Sequence, residues 1–502
     1  MIIVHTSSVL FLNDLSEVIR LFYPSEEIVF PAEPSVETAT YAQYEDNAPI
    51  RIALSVFMTD GCIRAEAHSG PFRAFCSSEE FGTYAQIDKS VSFRRMEKWT
   101  SKCSLYRLLS EMNGIRMPWG ALTGIRPSKL FRDLAEKCGE EKALEIFSDA
   151  FGVSEEKRSL ASRICAVQKP FISATKEKEI DLYFHVPFCR SRCLYCSFGT
   201  ELVSGKDTLR EYTDAIKRDI RRSAAVVREN GYKIRCTYFG GGTPSILPPE
   251  LLDDLLTCIL SEYGTLGAEC TFEAGRPDTI DAEKLAVLKS YGVGRISINP
   301  QSMHVETLER IGRRHTVDSL INVFRLARSM GFSWINMDLI MGLPGESFSD
   351  MKESIDSVLS LSPENITIHT LAIKRTSMLK HLQGHYSMAS APEVEKAVRY
   401  GYLSMIRNGF EPYYMYRQKY MQGNLENVGY AKPGKTSLYN IDIMEETVGI
   451  MAHGAGSISK AVAFDRSRIE RVAAPKDPFV YVSKMDRLIS EKRDLFNACM
   501  LC

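Results

Sequence analysis

Three cysteines crowd together in Tyr183-Phe-His-Val-Pro-Phe-Cys189-Arg-Ser-Arg-Cys193-Leu-Tyr-Cys196, spaced Cys-x3-Cys-x2-Cys. Three thiolates this close cannot all bridge one another, but they can wrap one inorganic centre. Structural zinc is closed and tetrahedral, so a zinc site would need a fourth ligand, for which His185 is the local candidate. A cubane iron–sulfur cluster is usually held by four cysteines. Three would leave one iron free to bind a substrate or cofactor, as open metal positions do in catalysis. The sequence holds 13 cysteines, an odd number, with no export signal, so free or metal-bound thiolates are expected in place of a disulfide framework. Cys499 and Cys502 form a second close pair, readable as a redox pair, a metal clip or ordinary tail thiols.

The other candidate residues sit at regular intervals downstream. Gly240-Gly241-Gly242-Thr243-Pro244 lets the backbone approach a ligand closely and offers N–H groups to it. Glu273 lies in Phe-Glu-Ala-Gly-Arg276-Pro-Asp, Gln301 in Ile-Asn-Pro-Gln-Ser, Arg313 in Ile-Gly-Arg-Arg-His, and Asp338 in Asn336-Met-Asp-Leu-Ile-Met-Gly342. Polar groups at buried strand ends need partners, and a polar cofactor would provide them. No side chain is singled out as a catalytic acid or base. His304, His369 and His453 read as packed or surface histidines, and His185 as a support near the cysteines.

Elements that position these residues follow from the apolar pattern. Short runs at Leu182–Val186, Ile234–Phe239, Glu269–Ala274, Gly294–Ile298, Ile335–Ile340 and Asn365–Thr370 read as strands. Helical patterns lie between them at about 207–229, 249–263, 281–291, 304–330 and 348–360; Leu209, Tyr212, Ile216 and Ile220 share one helical face. Alternating strands and helices imply βα units around a parallel sheet, an α/β class whose ligands bind at the C-terminal strand ends. The cysteines and the residues above fall there. Residues 1–172 read as an α+β extension with half-buried strands before 100 and helices after it, 173–390 as the core, and 391–502 as a smaller C-terminal domain that covers the substrate.

Composition narrows the functional classes. The 502 residues are 44% hydrophobic and 25% charged, which suits a folded soluble chain of two to four domains. Lys+Arg is 62 against Asp+Glu 63, so the balance gives no support to a nucleic-acid-coating role. No apolar run approaches the ~20 residues of a membrane helix, and the N-terminal stretch lacks the basic region of a signal peptide. The expected compartment is the cytoplasm and the expected state a monomer.

The cysteine spacing after a first strand resembles that of the radical S-adenosylmethionine (SAM) enzymes. The resemblance implies a partial (βα)6 barrel, a [4Fe–4S] cluster on Cys189, Cys193 and Cys196, and SAM bound at the open iron. It implies SAM contacts at Tyr183, Gly240, Gly241, Gly242, Thr243, Glu273, Gln301, Arg313 and Asp338. The phrases HVPFCRSRCLYCSF, YFGGGTPS, EAGRPDT, RIGRRHT, DLIMGLPGES, ENVGYAKPGK and HGAGS resemble oxygen-independent coproporphyrinogen III oxidases. With MPWGALTGIRPSKL at 117–130, the likeness is to the HemZ-type variant, which has an N-terminal extension. The resemblance implies conversion of two porphyrinogen propionates to vinyl groups in anaerobic haem biosynthesis, with an electron donor such as flavodoxin or ferredoxin. A tetra-anionic tetrapyrrole substrate would call on cations, for which Arg276, Lys374, Arg375, Arg417 and Lys419 are candidates. Two departures separate this chain from its relatives. Phe198 stands where the decarboxylating enzymes have a further cysteine, an aromatic replacement also found in the related haem chaperones. The chaperones' His-Asn-x-x-Tyr signature is not matched by Ser437-Leu-Tyr439-Asn440. A haem-trafficking protein and another tetrapyrrole-modifying enzyme are the alternatives.

Overall fold

The structure is a computed structural model that describes residues 1–31, 49–86, 91–198, 200–203, 205–419, 421–466 and 468–499. The chain divides into two compact units, residues 1–166 with 423–425 and residues 167–422 with 426–502.

The first unit carries a five-stranded sheet. Ile2–Thr6 lies between Ile28–Val29 and Ile50–Thr59, followed by Cys62–Ser69 and Phe72–Ser77. The alternating burial of Cys62–Ser69 matches the period-2 pattern of its sequence. Helices Val91–Asn113 and Pro127–Cys138 follow, the second opened by a proline at its first turn.

The second unit is built on one 11-stranded sheet. Its strands are β1 (Glu179–Val186), β2 (Lys233–Gly241), β3 (Glu269–Gly275), β4 (Arg295–Ile298), β5 (Trp334–Met341), β6 (Asn365–Thr370), β7 (Glu411–Tyr416), β8 (Asn427–Ala431), β9 (Gly449–His453), β10 (Ile458–Val462) and β11 (Ile469–Ala473). Strands β1 to β6 pair in parallel and in sequential order, the arrangement of a partial βα barrel. The helices that connect them include α1 (Lys206–Glu229), α2 (Pro249–Tyr263), α3 (Ala282–Ser290), α4 (Val305–Arg310), α5 (Val317–Ser329) and α6 (Phe348–Leu361). The α1 face of Leu209, Tyr212, Ile216 and Ile220 is buried, as its spacing requires. A capping box of Ser347 and Asp350 starts α6.

Two features differ from the sequence reading. The helix expected over 304–330 is two helices, because Gly312 turns left-handed (φ +78°) and Thr316 caps the second helix by accepting from Ser319 N at 3.1 Å. Residues beyond 390 add strands to the core sheet: β8 runs antiparallel to β6, and β9 pairs in parallel with β1 on its other side. The helix Glu155–Ser173 ends where the first boundary is expected, and the polar stretch from Ser173 to Glu179 is the turn into β1. Cys502 lies outside the described residues.

Candidate active site

The cysteine loop leaves β1 at Val186 and is fastened at several points. Phe188–Cys189 pairs with Glu201–Leu202, and Cys196 N donates to Cys193 O at 3.1 Å. Leu194, between the last two cysteines, is buried among Leu308, Ile311, Ile340, Leu343, Leu371 and Leu379. Leu194 N also donates to Ile311 O, and Leu379 N to Leu194 O. An apolar anchor flanked by main-chain bonds thus fixes a loop whose thiols stay half-buried. Burial pushes the Cys196 thiol up to about 11 and raises Cys189. Metal uptake must therefore release protons.

Zinc–sulfur bonds of ~2.3 Å put tetrahedral sulfurs roughly 3.8 Å apart. Among the described residues, the one set of Cys, His, Asp and Glu ligand atoms mutually within 4.8 Å is Asp181, Cys236 and Asp442. That set is closed by its own bonds: Cys236 Sγ donates to Asp181 at 3.0 Å, and Arg235 pairs with Asp442 at 2.8 Å. The three loop thiols are not gathered to that separation. His185 is engaged with the Tyr183 hydroxyl at 3.2 Å, and burial pushes its imidazole down to about 4.

The three cysteines line a cavity of about 370 Å3 at the C-terminal ends of the parallel strands. Tyr183, Gly241, Gly242, Thr243, Glu273, Gln301, Arg313 and Asp338 line it too, so eight of the nine residues named as SAM contacts converge with the thiols. Gly240 is outside the lining, packed between the Tyr183 and Tyr238 rings. The glycines act mainly by letting two loops touch. A Cβ on Gly242 would lie 2.6 Å from Phe188 O and 3.0 Å from Cys189 Sγ. The N–H groups of Gly242 and Thr243 are spent on Val186 O and Phe188 O, contrary to the expectation that this loop offers them to a ligand. Thr243 Oγ1 stands 3.5 Å from Cys189 Sγ.

Two carboxyls on neighbouring walls have opposite settings. Burial pushes Glu273 up to about 7, although it accepts from the Tyr238 hydroxyl at 2.5 Å. Burial also works against ionisation of Asp338, but His369, Asn336 and Thr367 outweigh it and hold this carboxyl below its usual range. Asn336 Nδ2 donates to Asp338 at 2.8 Å, and His369 Nε2 is 3.7 Å away. Gln301 adopts a left-handed backbone (φ +68°), exchanges main-chain bonds with β5, and leaves its Oε1 buried without a partner. Arg313, in the break between α4 and α5, donates to Gly275 O and Asn299 O, while its Nε has no partner. Orphaned polar atoms around a cavity beside three thiols fit a cluster and a polar cofactor.

The cations offered for carboxylates separate clearly. Arg276 lines the cavity but is buried and committed to Asp278 (3.0 Å) and Ser191 Oγ (2.7 Å). Arg417 and Lys419 are engaged by other groups, and Arg375 is exposed outside the lining. Lys374 lines the cavity. Sequence reasoning passed over His369, Tyr416, Gln418 and Asn427 as site residues, and all four line the cavity with the cysteines. For His369 the signal was present: Asn365, Thr367 and His369 alternate along β6 onto one face.

Comparison with known proteins agrees with this geometry. The radical SAM superfamily description matches residues 183–358. The chain is 35% identical, over 95% of its length and 94% of the relative's, to the oxygen-independent coproporphyrinogen-III oxidase-like protein HemZ of Bacillus subtilis. It is 27% identical to the heme chaperone HemW of Escherichia coli, over 63% of this chain and 78% of that one. The solved coproporphyrinogen III oxidase (HemN) of Escherichia coli superposes with a TM-score of 0.51 at 19% identity, covering 64% of this chain and 72% of that one, a likeness of fold. The chain therefore belongs to the radical SAM superfamily and, within it, to the family of oxygen-independent coproporphyrinogen-III oxidase-like proteins.

Proposed function

We propose that the protein oxidatively decarboxylates two propionates of coproporphyrinogen III to vinyl groups, yielding protoporphyrinogen IX in anaerobic haem biosynthesis. The observation that carries this reading is the convergence of Cys189, Cys193 and Cys196 with eight separately named polar and glycine residues on one cavity. Radical SAM membership brings a [4Fe–4S] cluster and SAM. On this reading Cys189, Cys193 and Cys196 would hold the cluster, which with SAM would supply one-electron chemistry for hydrogen abstraction, each decarboxylation also passing one electron to an acceptor. Glu273 and Asp338 would accept from cofactor hydroxyls, with Asn336 and His369 orienting the Asp338 carboxylate. Gln301 Oε1 and Arg313 Nε would gain their missing partners. Gly241, Gly242 and Thr243 at the second strand end, and Tyr183 on the first strand, would form part of the cofactor's wall. Residues 391–502 contribute Tyr416, Gln418 and Asn427 to the lining and would cover the substrate. The electron would come from a small carrier such as flavodoxin or ferredoxin, acting on a cytoplasmic monomer.

A second reading, a haem-trafficking protein, is favoured by the likeness to heme chaperones and by Phe198 in place of a further cysteine. One experiment separates the two. The anaerobically reconstituted protein is incubated with SAM, a reductant and coproporphyrinogen III. Protoporphyrinogen IX formed together with 5′-deoxyadenosine supports decarboxylation. Stoichiometric retention of added haem, with no product, supports trafficking.

A further inference from the structure

Four Arg and Lys side chains line the cavity: Arg192, Arg276, Arg313 and Lys374. Three are committed to protein groups. Arg192 donates to Thr376 O at 3.2 Å, Arg276 pairs with Asp278, and Arg313 donates to two carbonyls. Lys374 is half-buried and, among the described residues, its ammonium has no hydrogen bond and no ion pair. The ammonium is not among the buried unpartnered atoms, so it is open to whatever enters the cavity. The main chain that carries it is fixed. The loop that follows β6 is stitched to the cysteine loop by Leu379 N to Leu194 O (2.9 Å), by Thr376 Oγ1 to Ser197 O (3.4 Å), and by the Arg192 bond. A cation carried on a fastened loop into a ligand cavity, without a protein partner, is available to an anionic group on what binds there.

We propose that Lys374 is the carboxylate-binding subsite of this cavity, pairing with one acid side chain of an anionic tetrapyrrole. The proposal rests on the tetrapyrrole reading above. The competing account is that Lys374 only balances the negative charge of the loaded sulfur cage.

The test measures binding on the reconstituted holoprotein. Coproporphyrin III, a redox-stable probe with its carboxylates free, and its tetramethyl ester are titrated by fluorescence against wild type, Lys374→Met and Lys374→Arg. Iron content and visible absorption are recorded alongside. The expected result is preference for the free acid in wild type, weakened about tenfold to thirtyfold in Lys374→Met. Ester affinity and iron content stay constant, and Lys374→Arg regains most of the loss. Unchanged acid binding in Lys374→Met overturns the proposal, as does equal weakening for acid and ester. Loss of iron in Lys374→Met that Lys374→Arg restores overturns it in favour of the sulfur cage. Failure of the wild type to bind either probe removes the tetrapyrrole reading itself.

Discussion

Glu273 and Asp338 show how two carboxyls in one cavity receive different settings. Asp338 has an imidazole, an amide and a hydroxyl to favour its charge, whereas Glu273 has one hydroxyl against its desolvation. A carboxyl whose folded pKa is raised contributes its full stability below its unfolded value. That contribution is lost as pH rises through the folded value. For Glu273 the window runs from about 4.5 to about 7. Glu273→Gln is expected to stabilise the cofactor-free protein by about 2–3 kcal/mol at pH 8 and negligibly at pH 4.5. Urea titrations of both proteins across that range measure this; Glu346, with a similar shift, cancels in the difference. At the cysteines, Cys193→Ala is expected to lose the brown colour, most bound iron and SAM cleavage, while keeping the wild-type circular dichroism spectrum. Full iron and activity would remove the cluster assignment. The strand-end residues were legible because Gly, Glu, Gln and Asp interrupt apolar runs at regular intervals. Tyr416 was not, because a tyrosine in an apolar context reads equally well as packing; His369 was set aside as packing although its alternation with Asn365 and Thr367 pointed to one face.

At the scale of elements, the glycine loop and the cysteine loop form one joint. Gly242→Ala would force a methyl into Phe188 O and Cys189 Sγ. Overpacking of this kind costs about 1–3 kcal/mol. Because it moves the first thiol, iron loading should fall by more than stability does. Iron per chain and thermal melting, compared side by side, test that. The break between α4 and α5 is a second device. Gly312 and the Thr316 cap end one helix and start the next, and so place Arg313 against the cavity. The break was readable in Ile-Gly-Arg-Arg-His-Thr, but the apolar period continues on both sides and favours one long helix.

Across the whole molecule, the last helix of the second unit, α7 (Met485–Cys499), is held by a buried charge. Lys492 Nζ bonds both oxygens of Asp219, at 2.8 and 2.9 Å, and Tyr481 and Ser223 donate to the same carboxylate. Removing one partner of such a pair costs about 3–5 kcal/mol, because the other charge stays buried alone. Lys492→Met should lower the denaturation midpoint accordingly, and adding Asp219→Asn should recover much of the loss. An unchanged midpoint in Lys492→Met would contradict this. The six-strand core was legible because each of its strands is a short apolar run followed by a helix. Strand β9 was not: Gly-Ile-Met-Ala-His is five residues long, and its partner β1 lies more than 260 positions earlier. That pairing has a consequence for biosynthesis. At about 5–20 residues per second, ribosomes expose one flank of β1 for tens of seconds before the segment that seals it exists. During that interval the main-chain groups on that flank are an open invitation to foreign strands.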